Sequence, residues 1–497
     1  MRIPFPERVN LSYALIFASV LLAVQLFEGT NAFFAGCIFC FILVAAFSFN
    51  IAGGIPYPSG TYIGFNAILT VILPMTVKAI LGEPADSNLR APTRIAEVYL
   101  LGMVAMLAAA IFSRRFRPRR AFISDMMPVD SMRSAYIGCA ALSVIITLYL
   151  SFFNYGGQGT FDSFLVQANR FPILTFILGV LYTFHRTQGR RSMSGPLLLM
   201  VLYFAAGSLV NFSKEGFISP FFAWGITVAL LGYRLHWINI ASFAFGVFFL
   251  VTFLVPYAQF GRSYQAAISP YALSAYMLTH MDEVRESYES NAELLGNVHY
   301  YNKSLSLLNR LDFISLDSAL VDVADRQGPY GLRPLKEGWT NIIPHVFYPN
   351  KPVPYYGNTY GHEIGILPYD DFTTGVSFSP SADAYREGLF NGVLVYETVT
   401  LLIIFIILDS VIGDVRMNPV GVLATILISR AAAEGALWGS PTLVGQALFT
   451  NVLAAYVCAY ALPMLGSIFN KQFLHTGPSN FALGTSDPSL VSPVSTT

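Results

Sequence analysis

Charged residues are scarce in this chain, and their scarcity excludes most soluble architectures. Asp, Glu, Lys and Arg together make up 12% of the 497 residues, whereas 54% are hydrophobic. A soluble domain carries roughly 25% charged residues, so this chain could not cover a water-facing surface of its size. The composition therefore predicts a protein that lies largely in a lipid bilayer.

Cysteine pairs and metal-binding motifs are also scarce. The four cysteines stand within apolar runs, where a thiol behaves as a small hydrophobic group. Cys37 and Cys40 have CxxC-like spacing, but no second pair or histidine stands near them. No HExxH or similarly spaced ligand pair occurs either. The sequence thus predicts neither a disulfide framework nor a zinc site.

Long apolar runs of about 17 to 25 residues recur along the chain. Because backbone amides in lipid must be satisfied within a helix, each run is expected to form a transmembrane helix. The first run lacks a small-residue cleavage pattern and is expected to stay as a helix. We predict an all-α polytopic membrane protein with about twelve transmembrane helices, at residues 11–27, 31–49, 62–81, 95–112, 134–153, 165–184, 196–210, 217–233, 238–256, 389–408, 420–434 and 442–469.

One long segment, residues 258–386, interrupts this pattern and is predicted to form a large extracytoplasmic loop. Its first part has helical spacing of apolar residues with charges between them, which is typical of short amphipathic helices lying on a membrane face. Eight prolines between positions 329 and 380 favour coil in its second half. The predicted units are a bundle of about nine helices (1–257), this loop, about three helices (387–470) and a disordered cytoplasmic tail (471–497).

The distribution of Lys and Arg predicts the orientation. With the amino terminus in the cytoplasm, about fourteen basic residues fall in cytoplasmic loops and tails and five in the short outer loops. Short cytoplasmic loops are enriched in Lys and Arg, so both termini are predicted inside and the long loop outside. The basic run at residues 114–120 could also bind nucleic acid, but beside a helix end we interpret it as a topology anchor. No nucleic-acid partner is predicted.

Three groups of ionisable residues at the outer helix ends are candidates for anion binding. Arg430 lies one turn before Glu434, so the pair forms either an internal ion pair or part of a site facing a polar cavity. Lys214 and Glu215 occupy a very short turn before an apolar run, where a lysine and free helix amides favour an anion; a snorkelling lysine is the alternative. Arg170 also precedes an apolar run and could equally be an interfacial anchor.

The loop adds Arg310, Lys351 and Arg386 to this basic set. Binding a diphosphate needs several converging cations, because a single exposed contact contributes little in water. Arginine can bind phosphate through two parallel hydrogen bonds, so the arginines are expected to supply the specific contacts.

Two carboxylates near the end of the loop are candidates for proton transfer. Asp383 and Glu387 stand four residues apart, which places them on one face if the segment is helical. Such a carboxylate could accept the proton of an attacking sugar hydroxyl. Acidic residues are also favourable at any helix amino terminus, so spacing alone prefers neither interpretation. His280, His345 and His362 are alternative bases.

Four motifs resemble the bacterial Wzy-like oligosaccharide repeat-unit polymerases, which make O-antigen, capsule and exopolysaccharide. They are SKEGFISPFF, IIPHVFYPNKP, SPSADAYREGLFNG and ISRAAAEG, in the family's order. This chain departs from the family pattern by having Asp383 where a glutamate is usual and His345 where an arginine is common.

The resemblance implies that a growing glycan on a polyprenyl diphosphate is joined to a repeat unit on a second such lipid, at the outer face of the bacterial inner membrane. It implies Lys214, Arg310, Lys351 and Arg430 as diphosphate contacts, with Ser381, Asp383 and Tyr385 at the helix start. Asp383, ahead of Glu387 and Glu215, is the expected acceptor of the proton from the attacking hydroxyl. No metal or other cofactor is implied. The expected partners are lipid-linked oligosaccharides, membrane lipid and, as an optional further partner, a chain-length regulator.

Two other function classes stay open at this point. A flippase for lipid-linked oligosaccharides would also be a bundle of about twelve helices, but internal repeats between its halves would be expected and are not visible. A glycan ligase or polyprenyl-linked glycosyltransferase would share the loop and the cations. The latter more typically has acidic residues in an early outer loop, where this chain offers only Glu28.

Overall fold

The protein is helical throughout the part that its structure, a computed structural model, describes. The description covers residues 2–123, 132–153, 171–212, 214–264, 269–294, 299–302, 312–343, 348, 350–352, 355–372, 374–417 and 419–457. Within these ranges no β-strand occurs, and the only β-type pairing is an isolated bridge between Arg2 and Arg234.

Five helices are long and apolar enough to cross a membrane: Ala32–Ala52, Pro58–Leu81, Pro92–Phe116, Trp237–Gly261 and Pro380–Val411. Five shorter apolar helices accompany them in the described ranges. A helical membrane protein is therefore the architecture that the chain adopts, in agreement with the predicted fold class. Each of the twelve predicted runs overlaps a helix, and the number of spans and the outer position of the loop stay predictions.

The helices are numbered here in chain order. They are α1 Leu11–Phe27, α2 Ala32–Ala52, α3 Pro58–Ala67, α4 Leu73–Leu81, α5 Pro92–Phe116, α6 Met132–Phe153, α7 Phe171–Arg186, α8 Gly195–Val210, α9 Lys214–Leu230, α10 Trp237–Phe249, α11 Val255–Tyr264, α12 Pro270–Thr279, α13 Met281–Leu294, α14 Ile314–Gln327, α15 Arg333–Asn341, α16 Tyr356–Glu363, α17 Pro380–Asn391, α18 Thr398–Val411, α19 Pro419–Glu434 and α20 Ala436–Tyr456. Three π-helical segments, Ile68–Ile72, Leu250–Leu254 and Gly392–Glu397, join α3 to α4, α10 to α11 and α17 to α18.

The first two helices begin and end where the sequence provides capping residues. The side chain of Asn10 accepts a hydrogen bond from Ser12 N (2.9 Å), and that of Asn31 accepts one from Phe33 N (2.9 Å). These side chains satisfy amides that the first turn leaves without a helical partner. Helix α2 ends at Gly53, whose φ of 100° is the left-handed conformation that glycine adopts without strain.

A buried ion pair joins three helices at one end of the bundle. Arg117 Nη2 lies 2.5 Å from Asp409 Oδ2, and its guanidinium stacks on the Tyr57 ring at 3.8 Å. Nearby, Arg416 pairs with Glu7 of the amino-terminal segment. We call this end, which holds these five residues, the basal end.

The basal end fixes the direction of two helices that matter for the site. Helix α9 ends four residues before Arg234, which pairs with Arg2 of the amino-terminal segment. Helix α19 begins three residues after Arg416. Since α9 and α19 pack against each other, the start of α9 and the end of α19 both lie at the opposite end of the bundle.

The segment predicted as a loop packs into the bundle through α14. Nine of its 14 residues are buried, and it contacts α5 and α17. Asp317 accepts hydrogen bonds from the Tyr99 hydroxyl (2.6 Å) and from Ser379 N (3.0 Å), which ties the segment to α5 and to the start of α17. Burial outweighs these bonds and raises the pKa of Asp317 to about 7.

The prolines in the second half of the segment predict coil, but the structure also has helices there. It contains two short helices, α15 and α16, of 9 and 8 residues. Pro334 lies in the first turn of α15, where the missing amide proton costs no helical hydrogen bond. Proline therefore limits helix length here without excluding helices.

A break divides α17 into a buried half-helix and the start of the following span. Gly388 (φ −148°, ψ 19°) and Leu389 (φ 51°, ψ −141°) leave the helical conformation. The carbonyls of Arg386 and Glu387 bind Tyr330 N (2.8 Å) and Gly331 N (2.9 Å) outside the helix. Broken helices are tolerated in membrane proteins where surrounding protein satisfies the freed backbone groups. The predicted start of the span at Leu389 coincides with the break, and the half-helix before it, residues 380–387, forms the candidate site.

Candidate active site at the α17 half-helix

The half-helix is buried along its whole length. Ser379 caps it by accepting a hydrogen bond from Ala382 N (3.3 Å), and Pro380 follows in the first turn. Every residue from 380 to 387 is buried, against α5, α14 and α20. The sequence places five predicted site residues on this short element: Ser381, Asp383, Tyr385, Arg386 and Glu387.

Asp383 connects the half-helix to the start of α20. Its Oδ2 accepts hydrogen bonds from Leu437 N (2.7 Å) and Trp438 N (2.9 Å). These are amides of the first turn of α20, where a carboxylate is stabilised by the free N–H groups and by the helix dipole. Asp383 is fully buried at 0% exposure, and its Oδ1 has no hydrogen-bond partner among the described residues.

Glu387 lies one turn further along the same helix. Its side chain is 1% exposed, yet neither of its carboxyl oxygens has a hydrogen-bond partner in the described part of the chain. The same is true there of the Tyr360 hydroxyl, of Glu397 Oε2 and of the Trp438 indole nitrogen. Buried polar atoms without partners are uncommon in folded proteins, and each requires an explanation. Their concentration around α17 identifies it as the candidate site.

Tyr360 of α16 lies next to Asp383, and the charge of Glu387 also acts on its hydroxyl. Burial is the main factor that raises its pKa far above the ordinary value, and the charges of Asp383 and Glu387 raise it further. Its hydroxyl is close to Asp383 without making a hydrogen bond of normal geometry. The phenol therefore stays protonated and can both donate and accept a hydrogen bond.

Aromatic rings surround this hydroxyl. The Tyr360 ring packs against those of Tyr356 (5.9 Å between centroids), Tyr330 (6.0 Å) and Phe378 (5.8 Å), and Tyr356 packs against Trp438 (5.6 Å). Such rings can stack on the apolar faces of sugars and offer polar groups at their edges.

Arg386 is engaged by the protein. Its guanidinium donates to Glu363 Oε2 (3.1 Å), to the Gly328 carbonyl (2.7 Å) and to Gln327 Oε1 (3.3 Å). It also lies over the Tyr330 ring at 5.1 Å. These contacts hold the loop between α14 and α15 against α16 and α17, so Arg386 supports the site from one side.

Ser381 and Tyr385 also bind protein groups. The Ser381 hydroxyl donates to Glu397 Oε1 (2.9 Å) and lies against Gly102 of α5. The Tyr385 hydroxyl donates to Asp325 Oδ1 of α14 at 2.5 Å. These two bonds fix the rotation of the half-helix and thereby the side on which the two carboxyl groups stand.

Lys351 lies away from the half-helix. Its ammonium donates to the carbonyls of Asn341 (2.9 Å) and Ile343 (2.7 Å) at the end of α15, and burial lowers its pKa. The intervening Ile342 packs against Gly445 of α20. That position is about 10 Å along α20 from the amides that Asp383 binds, at 1.5 Å per residue.

The other predicted cations are located only in part. Lys214 is the first residue of α9, and Arg430 lies in the last turns of α19, so their backbones share the end of the bundle opposite the basal end. The side chains of Lys214, Glu215 and Arg430 lie outside the described atoms. Arg170 and Arg310 lie outside the described residues.

No family model, curated protein or solved structure matches this chain. Within the described ranges, no group of three or more His, Cys, Asp or Glu side chains could hold a metal ion. Protein carboxyl groups, a tyrosine hydroxyl and an indole N–H are the reactive and binding groups that the geometry provides.

Sequence reasoning missed Glu397 as a member of the site. Glu397 stands within the apolar run that follows the loop, and it is completely buried beside Ser381. An ionisable residue in such a run is by default a functional candidate, so the signal was present. Tyr360 is one of many tyrosines between residues 258 and 386, and its sequence context does not distinguish it from the others. The structure separates it from Tyr355 and Tyr369, which are 57% and 91% exposed.

Proposed function

We propose that this protein polymerises lipid-linked oligosaccharide repeat units into a long-chain surface polysaccharide at the outer face of the bacterial inner membrane. The observation that carries the proposal is the broken helix α17, in which Asp383 and Glu387 are buried side by side next to Tyr360. A buried carboxyl pair at a helix break suits proton transfer to or from a hydroxyl group.

The position of the predicted cations is consistent with this chemistry. Arg430 precedes the end of α19 by about one turn, and α20 begins two residues after α19 ends, with the amides that Asp383 binds. Arg430 therefore precedes Leu437, whose amide Asp383 binds, by about two helical turns of sequence. Lys214 begins α9, which packs against α19. We propose that both cations contact an anion that is bound near the half-helix.

The reaction transfers a glycan between two lipid-linked substrates. The oxygen of an acceptor hydroxyl forms a bond to the anomeric carbon of the growing chain, and the bond from that carbon to the polyprenyl diphosphate breaks. The diphosphate leaves with the bonding electrons, and cations near the helix ends stabilise its charge. The acceptor proton passes to a carboxylate of the site. The diphosphate bond provides the driving force, so no nucleotide sugar is needed.

A flippase for the same lipids is the second candidate function. A buried acidic site within a helical bundle could also carry a substrate group across the membrane. The aromatic and carboxyl groups at the half-helix favour an enzyme, because they provide groups for proton transfer as well as for binding.

Reconstitution tests the proposal directly. The full-length protein in lipid nanodiscs is supplied with lipid-linked repeat units isolated from cells that lack it. We expect a ladder of glycans differing by one repeat. Arg430→Ala and Lys214→Ala should leave only single repeats, because each removes a cation needed by the leaving diphosphate.

Arg333→Ala is the matched control. Arg333 is a highly exposed arginine at the start of α15, so its loss should leave the ladder unchanged. Absence of a ladder with the unchanged protein would refute polymerase activity. If cells carrying Arg430→Ala accumulate single repeats on the cytoplasmic side of the membrane, the flippase would be the better assignment.

A further inference from the structure

The two carboxyl groups of the half-helix stand in different surroundings, and this difference assigns them different roles. We propose that Glu387 accepts the proton of the attacking hydroxyl, whereas Asp383 is a positioning residue that holds the half-helix against α20. The proposal rests on the glycan transfer proposed above. It differs from the sequence-based expectation, in which Asp383 was the preferred base.

The Asp383 carboxyl group is hydrogen-bonded to the backbone of α20. Two amides, Leu437 N and Trp438 N, donate to the same oxygen at 2.7 and 2.9 Å. The preceding Ala436 has a φ of 47°, a conformation that costs a non-glycine residue about 1–3 kcal/mol and must be held by its surroundings. The other oxygen, Oδ1, has no hydrogen-bond partner among the described residues, but rotating the carboxyl group to bring it to a substrate would release both amides and the strained start of α20.

The Glu387 carboxyl group makes no such hydrogen bonds among the described residues. Both of its carboxyl oxygens lack a hydrogen-bond partner among the described residues, and its side chain is 99% buried. Its main chain is fixed, because its carbonyl accepts a hydrogen bond from Gly331 N at 2.9 Å. A free carboxyl group on a fixed backbone is the arrangement that a general base requires.

The neighbouring cation does not neutralise Glu387. Arg386 directs its guanidinium to Glu363, Gln327 and the Gly328 carbonyl, and no ion pair to Glu387 occurs in the described part of the chain. The uncharged Tyr360 hydroxyl is likewise 0% exposed and without a partner there. A substrate hydroxyl placed between Tyr360 and Glu387 would satisfy both groups.

The rings beside this position extend to the surface of the protein. Tyr330 is 36% exposed and packs edge-on against the Tyr360 ring. We propose that a substrate reaches the carboxyl groups past these two rings. Trp438 is half-buried on α20 and contributes an unpartnered indole N–H that can bind a second sugar hydroxyl.

The proposed step moves one proton and transfers one glycan. Glu387 enters as the carboxylate and removes the proton from the acceptor hydroxyl as its oxygen bonds to the anomeric carbon. The bond between that carbon and the diphosphate oxygen breaks, and its electron pair leaves with the polyprenyl diphosphate. Glu387 then holds the proton and releases it to water when the lengthened product departs. No oxidant, metal or cofactor is required by this balance.

The experiment compares Glu387→Gln with Asp383→Asn in the reconstituted ladder assay. Glutamine keeps the size of Glu387 but cannot accept the proton, so kcat should fall by about 10²–10⁴-fold, with KM for the lipid-linked repeat changed less than about 3-fold. Asparagine keeps an oxygen for the two amides of α20, so kcat should fall less than about 10-fold while the melting temperature decreases. Glu387→Asp should recover part of the activity that Glu387→Gln loses.

Other outcomes would overturn the assignment. If Asp383→Asn lost as much kcat as Glu387→Gln, or if Glu387→Gln kept more than a tenth of it, Glu387 would not be the sole proton acceptor. An increase of KM alone in Glu387→Gln would indicate a binding role instead. If the unchanged protein formed no ladder, the proposed function itself would fail, which is a distinct result.

Discussion

The contact between α5 and the half-helix provides the sharpest test of this structure. Gly102 of α5 faces Ser381, and a Cβ added at Gly102 would lie 2.0 Å from the Ser381 Oγ and 2.6 Å from its Cβ. Gly102→Ala should therefore push α5 away from α17. Overpacking of this kind typically costs about 1–3 kcal/mol.

A second glycine-to-alanine variant serves as the control for the ordinary effect of alanine on helix stability. Alanine is favoured over glycine within a helix by about 1 kcal/mol. Gly36 of α2 has open space around the position of its Cβ, so Gly36→Ala should keep or raise stability. We expect Gly102→Ala to be about 1–3 kcal/mol less stable than Gly36→Ala, the difference being the overpacking cost.

A second substitution tests the named contact. Ser381→Gly removes both atoms that a new Cβ at position 102 would meet, leaving Glu397 Oε2 at 3.2 Å as the nearest atom. Residues in direct contact give non-additive effects, so Gly102→Ala with Ser381→Gly should lose less stability than the two single losses added together.

The assay is thermal inactivation of the full-length protein in nanodiscs at one scan rate, because membrane proteins often unfold irreversibly. Equal melting temperatures for Gly102→Ala and Gly36→Ala would refute the close approach of α5 to α17. Additive losses in the double variant would refute the contact with Ser381 even if Gly102→Ala alone were destabilised.

Two further predictions concern buried charges. The pKa of Asp317 is about 7 in the folded protein and about 4 in the unfolded chain. Between these pH values the folded protein keeps a proton that the unfolded chain has released. The stability should therefore fall as the pH rises from about 4 to about 7. Relative to Asp317→Asn, the wild type should lose about 3 kcal/mol between pH 5 and pH 8, and a constant difference in melting temperature would contradict this. Arg386→Lys should cost about 2–4 kcal/mol, because lysine cannot reproduce the fork that binds Glu363 and the Gly328 carbonyl. Arg333→Lys, at an exposed ion pair, is its control and should leave the melting temperature unchanged.

The helices of the bundle were predictable because apolar runs in lipid have few alternatives to a helix. The pairing of Asp383 and Glu387 was also predictable, since residues four apart share a helix face. The bond from Asp383 to Leu437 was not, because it joins positions 54 residues apart that only tertiary packing brings together. The break at Gly388 and Leu389 escaped prediction for a related reason. Leu389 adopts a conformation that its own side chain disfavours, and the surrounding protein imposes it.

The two strained residues near the site explain why its geometry can be held firmly. Leu389 and Ala436 both have positive φ angles, and they stand at the end of the half-helix and at the start of α20. Asp383 joins these two elements, because its carboxyl group binds the first turn of α20. Each strained turn persists only if neighbouring contacts exceed its cost of about 1–3 kcal/mol, and the bonds of Asp383 and of the Glu387 carbonyl are those contacts. The half-helix and the start of α20 thus behave as one rigid unit. A rigid unit that carries an unpaired carboxyl group can keep it within reach of a reacting hydroxyl, which is how orientation lowers a reaction barrier.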